Sequence, residues 1–265
     1  MEDGYEQNSS LLVSDICIVI MAGGLGKRME SDTPKVLHLI TNKPMIVRVI
    51  ENAKRLNPIK ILIVVGQYEN IIKQTLSKFI DINDVQFISQ NVALGTGHAI
   101  QCCRDELMKY EDTKTLILSG DVPLLTSETM SMICKNININ GCNLLCTYID
   151  NPQGYGRIKM INDKFCRIIE EKDCSEYERK ISLINGGVYV FRTDVLCNNI
   201  MLLNNQNASN EYYLTDILEI IQKKYTDTIN ICILPQEKSL ELVGINTKEQ
   251  LQTLNNTLIA TCYSK

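Results

Sequence analysis

Short apolar runs that stop at glycine, separated by stretches of helical period, constrain this chain more than any other feature. Cys17-Ile-Val-Ile-Met21 runs into Gly23-Gly24, Ile61-Leu-Ile-Val-Val65 ends at Gly66, and Thr115-Leu-Ile-Leu-Ser119 ends at Gly120-Asp121. Runs this short and β-branched read as buried strands entering turns. Between them Ile46, Val49, Ile50, Ala53 and Leu56 lie on one helical face. Ile71 to Phe79 and Gly97 to Lys109 are also helical in pattern, with Val85 to Ile88 a further strand. Such alternation predicts βαβ units around a mainly parallel sheet. Right-handed crossovers then gather the strand C-ends, with Gly23, Gly66 and Asp121 beside them, along one ligand-binding edge.

After about Asn143 the alternation breaks. Leu144 to Ile149, Arg157 to Ile161, Phe165 to Glu170 and Ile184 to Phe191 follow one another as strands, which predicts an antiparallel addition serving as a lid or second subsite. Tyr213 to Lys224 reads as a helix, Ile229 to Leu234 as a strand and Thr247 to Leu258 as a closing helix. The fold class is α/β: a Rossmann-like, mostly parallel mixed sheet flanked by helices, carrying that addition. The tails before Asp15 and after about Asn256 are expected to be loose.

Composition narrows the function classes. In 265 residues the formal net charge is −4, with the basic residues scattered. Nucleic-acid binding needs a clustered basic face, so it is excluded on this reading. An anionic ligand must be held by a local site. The eleven cysteines are odd in number and form no CxxC pair, and the polar stretch before Asp15 does not read as a signal peptide. They read as reduced, mostly buried thiols of a cytoplasmic protein. No apolar run is long enough to cross a bilayer.

The chemistry concentrates in Met21-Ala-Gly-Gly-Leu-Gly-Lys-Arg28, followed by Pro34-Lys35. Glycines directly after a strand let backbone amides approach a phosphate chain closely. A Walker A loop would need glycine at Met21 and Ser or Thr at Arg28. A dinucleotide fingerprint would need a small residue at Met29 and an acid after the second strand, which ends instead at Val65-Gly66. What remains is a glycine loop ending in Lys27, Arg28 and Lys35, cations suited to a triphosphate whose leaving pyrophosphate must be neutralised. Asp121, at a strand C-end, can meet a metal at the same edge. Alone, Gly95 and Gly97 read equally well as turn glycines, and Glu170-Glu-Lys-Asp173 as a solvated charge run.

The segment Met21 to Lys35 resembles the signature of the sugar-nucleotide pyrophosphorylases. Within them the chain is similar to the uridyltransferase domains of the bacterial N-acetylglucosamine-1-phosphate uridyltransferases, from about Ile16 to Leu254. The resemblance is carried by Gln90, Leu94-Gly-Thr-Gly-His-Ala99, Gly120-Asp-Val-Pro-Leu124, Gly154-Tyr-Gly-Arg-Ile158, Glu170-Glu-Lys-Asp173, Ile184-Asn185, Glu211-Tyr-Tyr-Leu-Thr-Asp216 and Gly244-Ile-Asn246. It implies a tail over 1–14 and one domain over 15–258. Residues 15–142 would bind nucleotide, 143–246 sugar, and 247–258 form the closing helix.

The resemblance further implies that Ala22, Gly23, Gly24, Gly26, Gln90, Gly95 and Thr96 bind UTP. Arg28 and Lys35 would serve catalysis, and Asp121 and Asn246 would hold Mg2+. A sugar 1-phosphate would lie among Gly156, Glu170 and Asn185, with Glu211 and Tyr213 nearby. The expected reaction is in-line attack by the sugar phosphate on the α-phosphorus of UTP, needing no general base. The expected partners are these small molecules, with no nucleic acid and no membrane. Two positions depart from the family: Ser119 replaces a frequent aromatic, and Gly186 replaces the usual Thr or Ser. No hexapeptide repeats occur, so the acetyltransferase activity of the bacterial enzymes is not expected. A relative using another sugar or base, and a non-catalytic nucleotide-sugar-binding subunit, are the competing readings. The latter predicts loss of Lys35, Asp121 or Asn246, all of which are present. His38 and His98 lack partner motifs and read as structural.

Overall fold

The computed structural model describes residues 15–24, 26–138, 141–225 and 228–263. The expected tail over 1–14 lies outside the described residues. In chain order the strands and α-helices are β1 (Ile16–Met21), β2 (Leu39–Ile40), β3 (Lys43–Pro44), α1 (Met45–Lys54), β4 (Lys60–Val65), α2 (Glu69–Leu76), β5 (Gln86–Ser89), α3 (Thr96–Leu107) and β6 (Lys114–Ser119). They continue with α4 (Ser127–Ile133), β7 (Cys142–Tyr148), β8 (Arg157–Ile161), β9 (Lys164–Ile169), β10 (Leu183–Arg192), α5 (Thr193–Asn199), α6 (Asp216–Lys224), β11 (Ile229–Ile233) and α7 (Lys248–Tyr263).

One nine-stranded sheet organises the molecule. Its path runs β11-β7-β10-β6-β1-β4-β5, with β8 pairing off β10 and β9 off β8; β2 and β3 form a separate hairpin. Strands β6, β1, β4 and β5 are mutually parallel, and β10 runs antiparallel to both β6 and β7. This is the mixed, mostly parallel α/β sheet the sequence predicts. The strands expected to be antiparallel pair that way, β7 with β10, β10 with β8 and β8 with β9. Only β8 and β9 project from the main path, while β7 and β11 pair in parallel and extend the central sheet.

Period-two alternation sorts the core onto the two sheet faces. In β1, Ile16, Ile18 and Ile20 pack on one face with Ile46, Val49, Ile50 and Ala53 of α1. Cys17 and Val19 pack on the other with α3 and α6, through Ile100, Cys103, Ile217 and Leu218. A smaller cluster of Ile40, Met45, Ile245 and Leu254 docks α7 against the β2–β3 hairpin. Asn255 adds hydrogen bonds to Thr41 N and Leu39 O. Helix α7 runs to Tyr263, past the expected end at Leu258 and through part of the tail expected to be loose after about Asn256. Thr193 and Thr115, both fully buried, share a 2.8 Å hydroxyl bond that closes the α5 start onto β6.

The long strand β10 serves two purposes. Its C-terminal half lies in the central sheet, while Ile184 pairs with Arg157 of β8. The register shifts between Asn185 and Val188, where Gly187 has φ +69°. The bulge re-aims the strand, and glycine takes the left-handed conformation without strain.

Candidate active site

The C-ends of β1, β4 and β6 are tied to one another before any ligand arrives. Ala22 N donates to Val64 O at 2.8 Å and Gly120 N to Met21 O at 2.9 Å. These bonds fix the glycine loop and Asp121 on one sheet edge. Gly26 has φ +59°, and a Cβ there would lie 2.7 Å from Lys35 Cβ, so only glycine lets the loop close on Lys35. The turn Lys27–Met29 follows, with Met29 N donating to Gly26 O at 2.8 Å. Leu25 and the Lys27 side chain lie outside the described residues.

Lys35 sits in a one-turn helix after Pro34, and its ammonium contacts the Asp121 carboxylate. It also donates to Asn246 Oδ1 at 3.0 Å, and Arg28 Nη2 reaches the same oxygen at 3.0 Å. Asn246 arrives from far along the chain because Ile245 N donates to Asp121 O at 2.9 Å. Thr247 and Gln250 then cap α7 reciprocally: Gln250 Oε1 accepts from Thr247 N, and Thr247 Oγ1 from Gln250 N. Gln250 Oε1 also accepts from Asn246 N at 2.7 Å, which fixes the Asn246 backbone.

These oxygens suit a divalent ion. The Lys35 ammonium already bridges the Asp121 and Asn246 side chains as a cation would. Among the described residues no group of three or more His, Cys, Asp or Glu is placed to hold a metal. Two protein oxygens, completed by phosphate and water, is the donor set magnesium prefers over an all-protein cage.

Beside this cluster opens a cleft of about 580 Å³. It is lined by Ala22, Gly23, Gly24, Gly26, Lys35, Gln90, Gly95, Thr96 and Asp121, and also by Glu211. Gln90 is 6% exposed; its Nε2 lies 3.0 Å from Gly95 O and 3.1 Å from His98 Nδ1. Its Oε1 faces Gly23, where a Cβ would come within 3.0 Å of it. Gly95 has φ +111°, and a Cβ there would lie 2.6 Å from Tyr212 O. The α3 start is clamped by the 211–214 segment. Gly97 N donates to Tyr212 O (2.7 Å), Tyr212 N to Leu94 O (2.8 Å) and Leu214 N to Thr96 Oγ1 (3.0 Å). The Thr96 hydroxyl is thus already engaged by this clamp.

The second subsite follows from strand register. Arg157 pairs with Ile169 of β9 and with Ile184 of β10. One residue further, Gly156 therefore lies between Glu170 and Asn185, and Asn185 N donates to Gly156 O at 2.9 Å. Of the expected sugar-site residues Glu211 lines the cleft, whereas Gly156, Glu170, Asn185 and Tyr213 do not. Asn185 is held by two bonds, accepting from Gly187 N at 2.9 Å and donating to Tyr189 Oη at 2.7 Å. Glu170 accepts from Thr215 Oγ1 at 2.9 Å. Burial pushes its carboxyl above the ordinary range against that hydrogen bond, and Asp216, Asp173 and Glu211 push the same way. Burial likewise raises the Tyr213 hydroxyl.

Four side chains in or around this region have no role implied by the sequence, although Arg157, Lys172 and Thr215 lie inside the quoted motifs. Lys172 lines the cleft and donates to Ser209 Oγ at 3.1 Å. Tyr189 and Thr215 orient Asn185 and Glu170 from the second row. Arg157, 1% exposed, pairs with Glu171 at 2.7 Å at the open end of the β8–β9 hairpin. The family departures resolve differently. Ser119 lines the cleft, whereas a Cβ at Gly186 would lie 2.8 Å from Leu145 O and from Leu242 Cδ1, so Leu242 fills its space.

A glycine-lined cleft at the parallel strand ends, with lysine, aspartate and asparagine converging at its mouth, defines a nucleotidyl transferase. The chain belongs to that family, whose model, "Nucleotidyl transferase", matches residues 17–233. It is 40% identical over 242 residues to a protein of Acanthamoeba polyphaga mimivirus named "Probable UDP-N-acetylglucosamine pyrophosphorylase", covering 90% of this chain and 94% of that one. It is also 40% identical to the "Bifunctional protein GlmU" of Fervidobacterium nodosum over 239 residues, 89% of this chain and 49% of that protein. The chain thus spans about half the length of the bifunctional relatives. A solved Bacillus anthracis chain, described as a candidate glucose-1-phosphate thymidylyltransferase, superposes with a TM-score of 0.66 at 19% identity, covering 91% of this chain and 94% of that one. That likeness establishes the fold.

Proposed function

We propose that the chain is a magnesium-dependent uridylyltransferase that converts UTP and N-acetylglucosamine 1-phosphate to UDP-N-acetylglucosamine and pyrophosphate. The observation that carries this reading is the Lys35 ammonium held between the Asp121 carboxylate and Asn246 Oδ1 at the mouth of a glycine-lined cleft. The names of the 40%-identical relatives support the choice of sugar and base.

In this reading the sugar phosphate is itself the nucleophile, so the protein's task is positioning and charge neutralisation. Asp121 and Asn246 would hold magnesium, which supplies positive charge at the α-phosphate when bound. Lys35 steadies the α-phosphate, and Arg28 with the amides of Gly23, Gly24 and Gly26 holds the departing pyrophosphate. Gln90 and Gly95 contact the base, while Glu170 and Asn185 hydrogen-bond the sugar on either side of Gly156. Free cysteines, mostly buried, suit a cytoplasmic setting. Among the described residues no helix is long and apolar enough to cross a membrane.

The test is pyrophosphate release with each of the four nucleoside triphosphates, magnesium, and the 1-phosphates of N-acetylglucosamine, N-acetylgalactosamine and glucose. UTP with N-acetylglucosamine 1-phosphate should give the highest kcat/KM. Higher turnover with another pair would reassign the substrates, and no release with any pair would favour a binding subunit.

A further inference from the structure

The Gln90 amide has one orientation open to it. Its terminal group lies 3.0 Å from the Gly95 carbonyl oxygen. A carbonyl oxygen only accepts, so the amide nitrogen, and not the amide oxygen, faces it. The same nitrogen lies 3.1 Å from His98 Nδ1. An amide nitrogen donates and does not accept, so Nδ1 is the bare ring nitrogen and the proton of the neutral ring sits on Nε2. That proton has a matching neighbour: Nε2 lies 3.9 Å from Cys102 Sγ, a weak acceptor one turn along α3. With both amide hydrogens engaged, Oε1 is the atom Gln90 presents beside Gly23.

The ring itself is held in place. His98 lies in the first turn of α3, its ring tilted against Tyr212 with centroids 6.3 Å apart. Tyr212 is locked to the same turn by its backbone bonds to Leu94 and Gly97. The imidazole is therefore presented to Gln90 in one pose.

We propose that His98 is a positioning residue that holds the Gln90 carbonyl oxygen toward the nucleotide base and so selects a pyrimidine carrying N3–H. Uracil meets Oε1 with a donor. Cytosine brings a bare N3 acceptor against the same oxygen and leaves both unpaired. Without His98, one of the two constraints on the amide is lost. This inference rests on the uridylyltransferase reading for its substrate and on the hydrogen-bond inventory for its geometry.

Two measurements test it. Nitrogen-15 NMR of the full chain, above the ordinary histidine titration range, reports the ring tautomer. The sequence has only two histidines, so His98→Asn assigns the signal. The Nε2–H tautomer is expected, and an Nδ1–H ring overturns the arrangement whatever the enzyme's substrate. Kinetics with UTP and CTP then compare His98→Leu with His98→Asn, whose Oδ1 stands near the position of Nδ1 and accepts. His98→Leu should lower the UTP-to-CTP ratio of kcat/KM by about tenfold, the worth of one hydrogen bond, with the KM for sugar phosphate unmoved. His98→Asn should retain the ratio. An unchanged ratio in His98→Leu, or an equal loss in both variants, overturns the proposal. Should His98→Leu not fold, the tautomer and the Asn variant still decide. A wild-type chain with the Nε2–H tautomer but no turnover of UTP would instead remove the functional reading and leave the His98–Gln90 geometry standing.

Discussion

Lys35 donates to Asn246 Oδ1 across 3.0 Å although 211 residues separate them. No local propensity brings them together. The contact depends on Ile245 N reaching Asp121 O and on the Thr247–Gln250 cap that fixes the start of α7. Removing the Asn246 oxygen should leave Asp121 and Lys35 paired but take away a neutral ligand. Asn246→Ala should therefore raise the magnesium concentration needed for half-maximal activity. A metal titration that matches the wild type would remove Asn246 from the ion's shell.

Arg28 is exposed and shares Asn246 Oδ1 with Lys35, and the proposed reaction gives it the departing pyrophosphate. Loss of a fixed charge stabiliser usually costs about 2–4 kcal/mol of barrier. Arg28→Ala should lower kcat/KM by that amount with little effect on the melting temperature. An unchanged rate would assign pyrophosphate neutralisation elsewhere.

Asp121 differs from Arg28 because it is a nearly buried carboxylate whose cation, Lys35, is also largely enclosed. Asp121→Asn keeps the shape but leaves Lys35 without its counter-charge. Both activity and stability should fall, whereas Arg28→Ala should affect activity alone. Thermal denaturation beside steady-state rates separates the two; a stable but inactive Asp121→Asn would show that the pair adds nothing to folding.

The backbone turn at the base end is sterically committed. A Cβ at Gly97 would lie 2.4 Å from Leu203 Cδ1 and 2.9 Å from Tyr212 O, and Gly95 combines φ +111° with a 2.6 Å approach to Tyr212 O. At Gly24 a Cβ would meet nothing within 4 Å. Gly95→Ala and Gly97→Ala should each destabilise by about 1–3 kcal/mol, the range for overpacking and incompatible backbone. Gly24→Ala should stay near the wild type. Equal denaturation midpoints for all three would contradict the crowding around Gly95 and Gly97.

Much of this was legible in the sequence because it is local. Strands β1, β4 and β6 are contiguous apolar runs that stop at glycine, and Gly23 and Asp121 follow them directly, so pattern alone places both at the strand ends. The central sheet's continuation was harder to read. Strand β7 opens the antiparallel stretch and pairs that way with β10, yet its other edge pairs in parallel with β11, eighty-odd residues on, through a register that no local period encodes. The second subsite was legible only as motifs. The row Glu170–Gly156–Asn185 is a consequence of two strand pairings; Tyr189 joins it from four residues along the Asn185 strand, past the bulge, and Thr215 from the start of α6, 45 residues from Glu170. His98 reads as structural in the sequence for a similar reason: its neighbour Gln90 precedes α3 and reaches it by a turn, so no helical spacing links them.

Asp216 supplies a pH test of the sugar-side acidic cluster. It begins α6, where the helix dipole favours a negative charge. Burial nevertheless dominates, and with Glu219 and Asp173 nearby it pushes the carboxyl up to about 6 against the smaller opposing pull of Arg167. A carboxyl with a raised folded-state pKa favours folding most when protonated. Its contribution is complete below the ordinary aspartate value near 3.8 and is lost as pH rises through about 6. Asp216→Asn keeps the neutral shape at every pH. Its stability relative to the wild type should therefore be nearly level at about pH 4 and grow through about pH 7, by linkage. Glu170 is raised in the same direction and counts Asp216 among its causes, so its own shift should relax in the variant. Denaturant midpoints measured for both proteins across that range decide the matter: a constant difference from acid to neutral pH would mean that Asp216 titrates alike in the folded and unfolded chain.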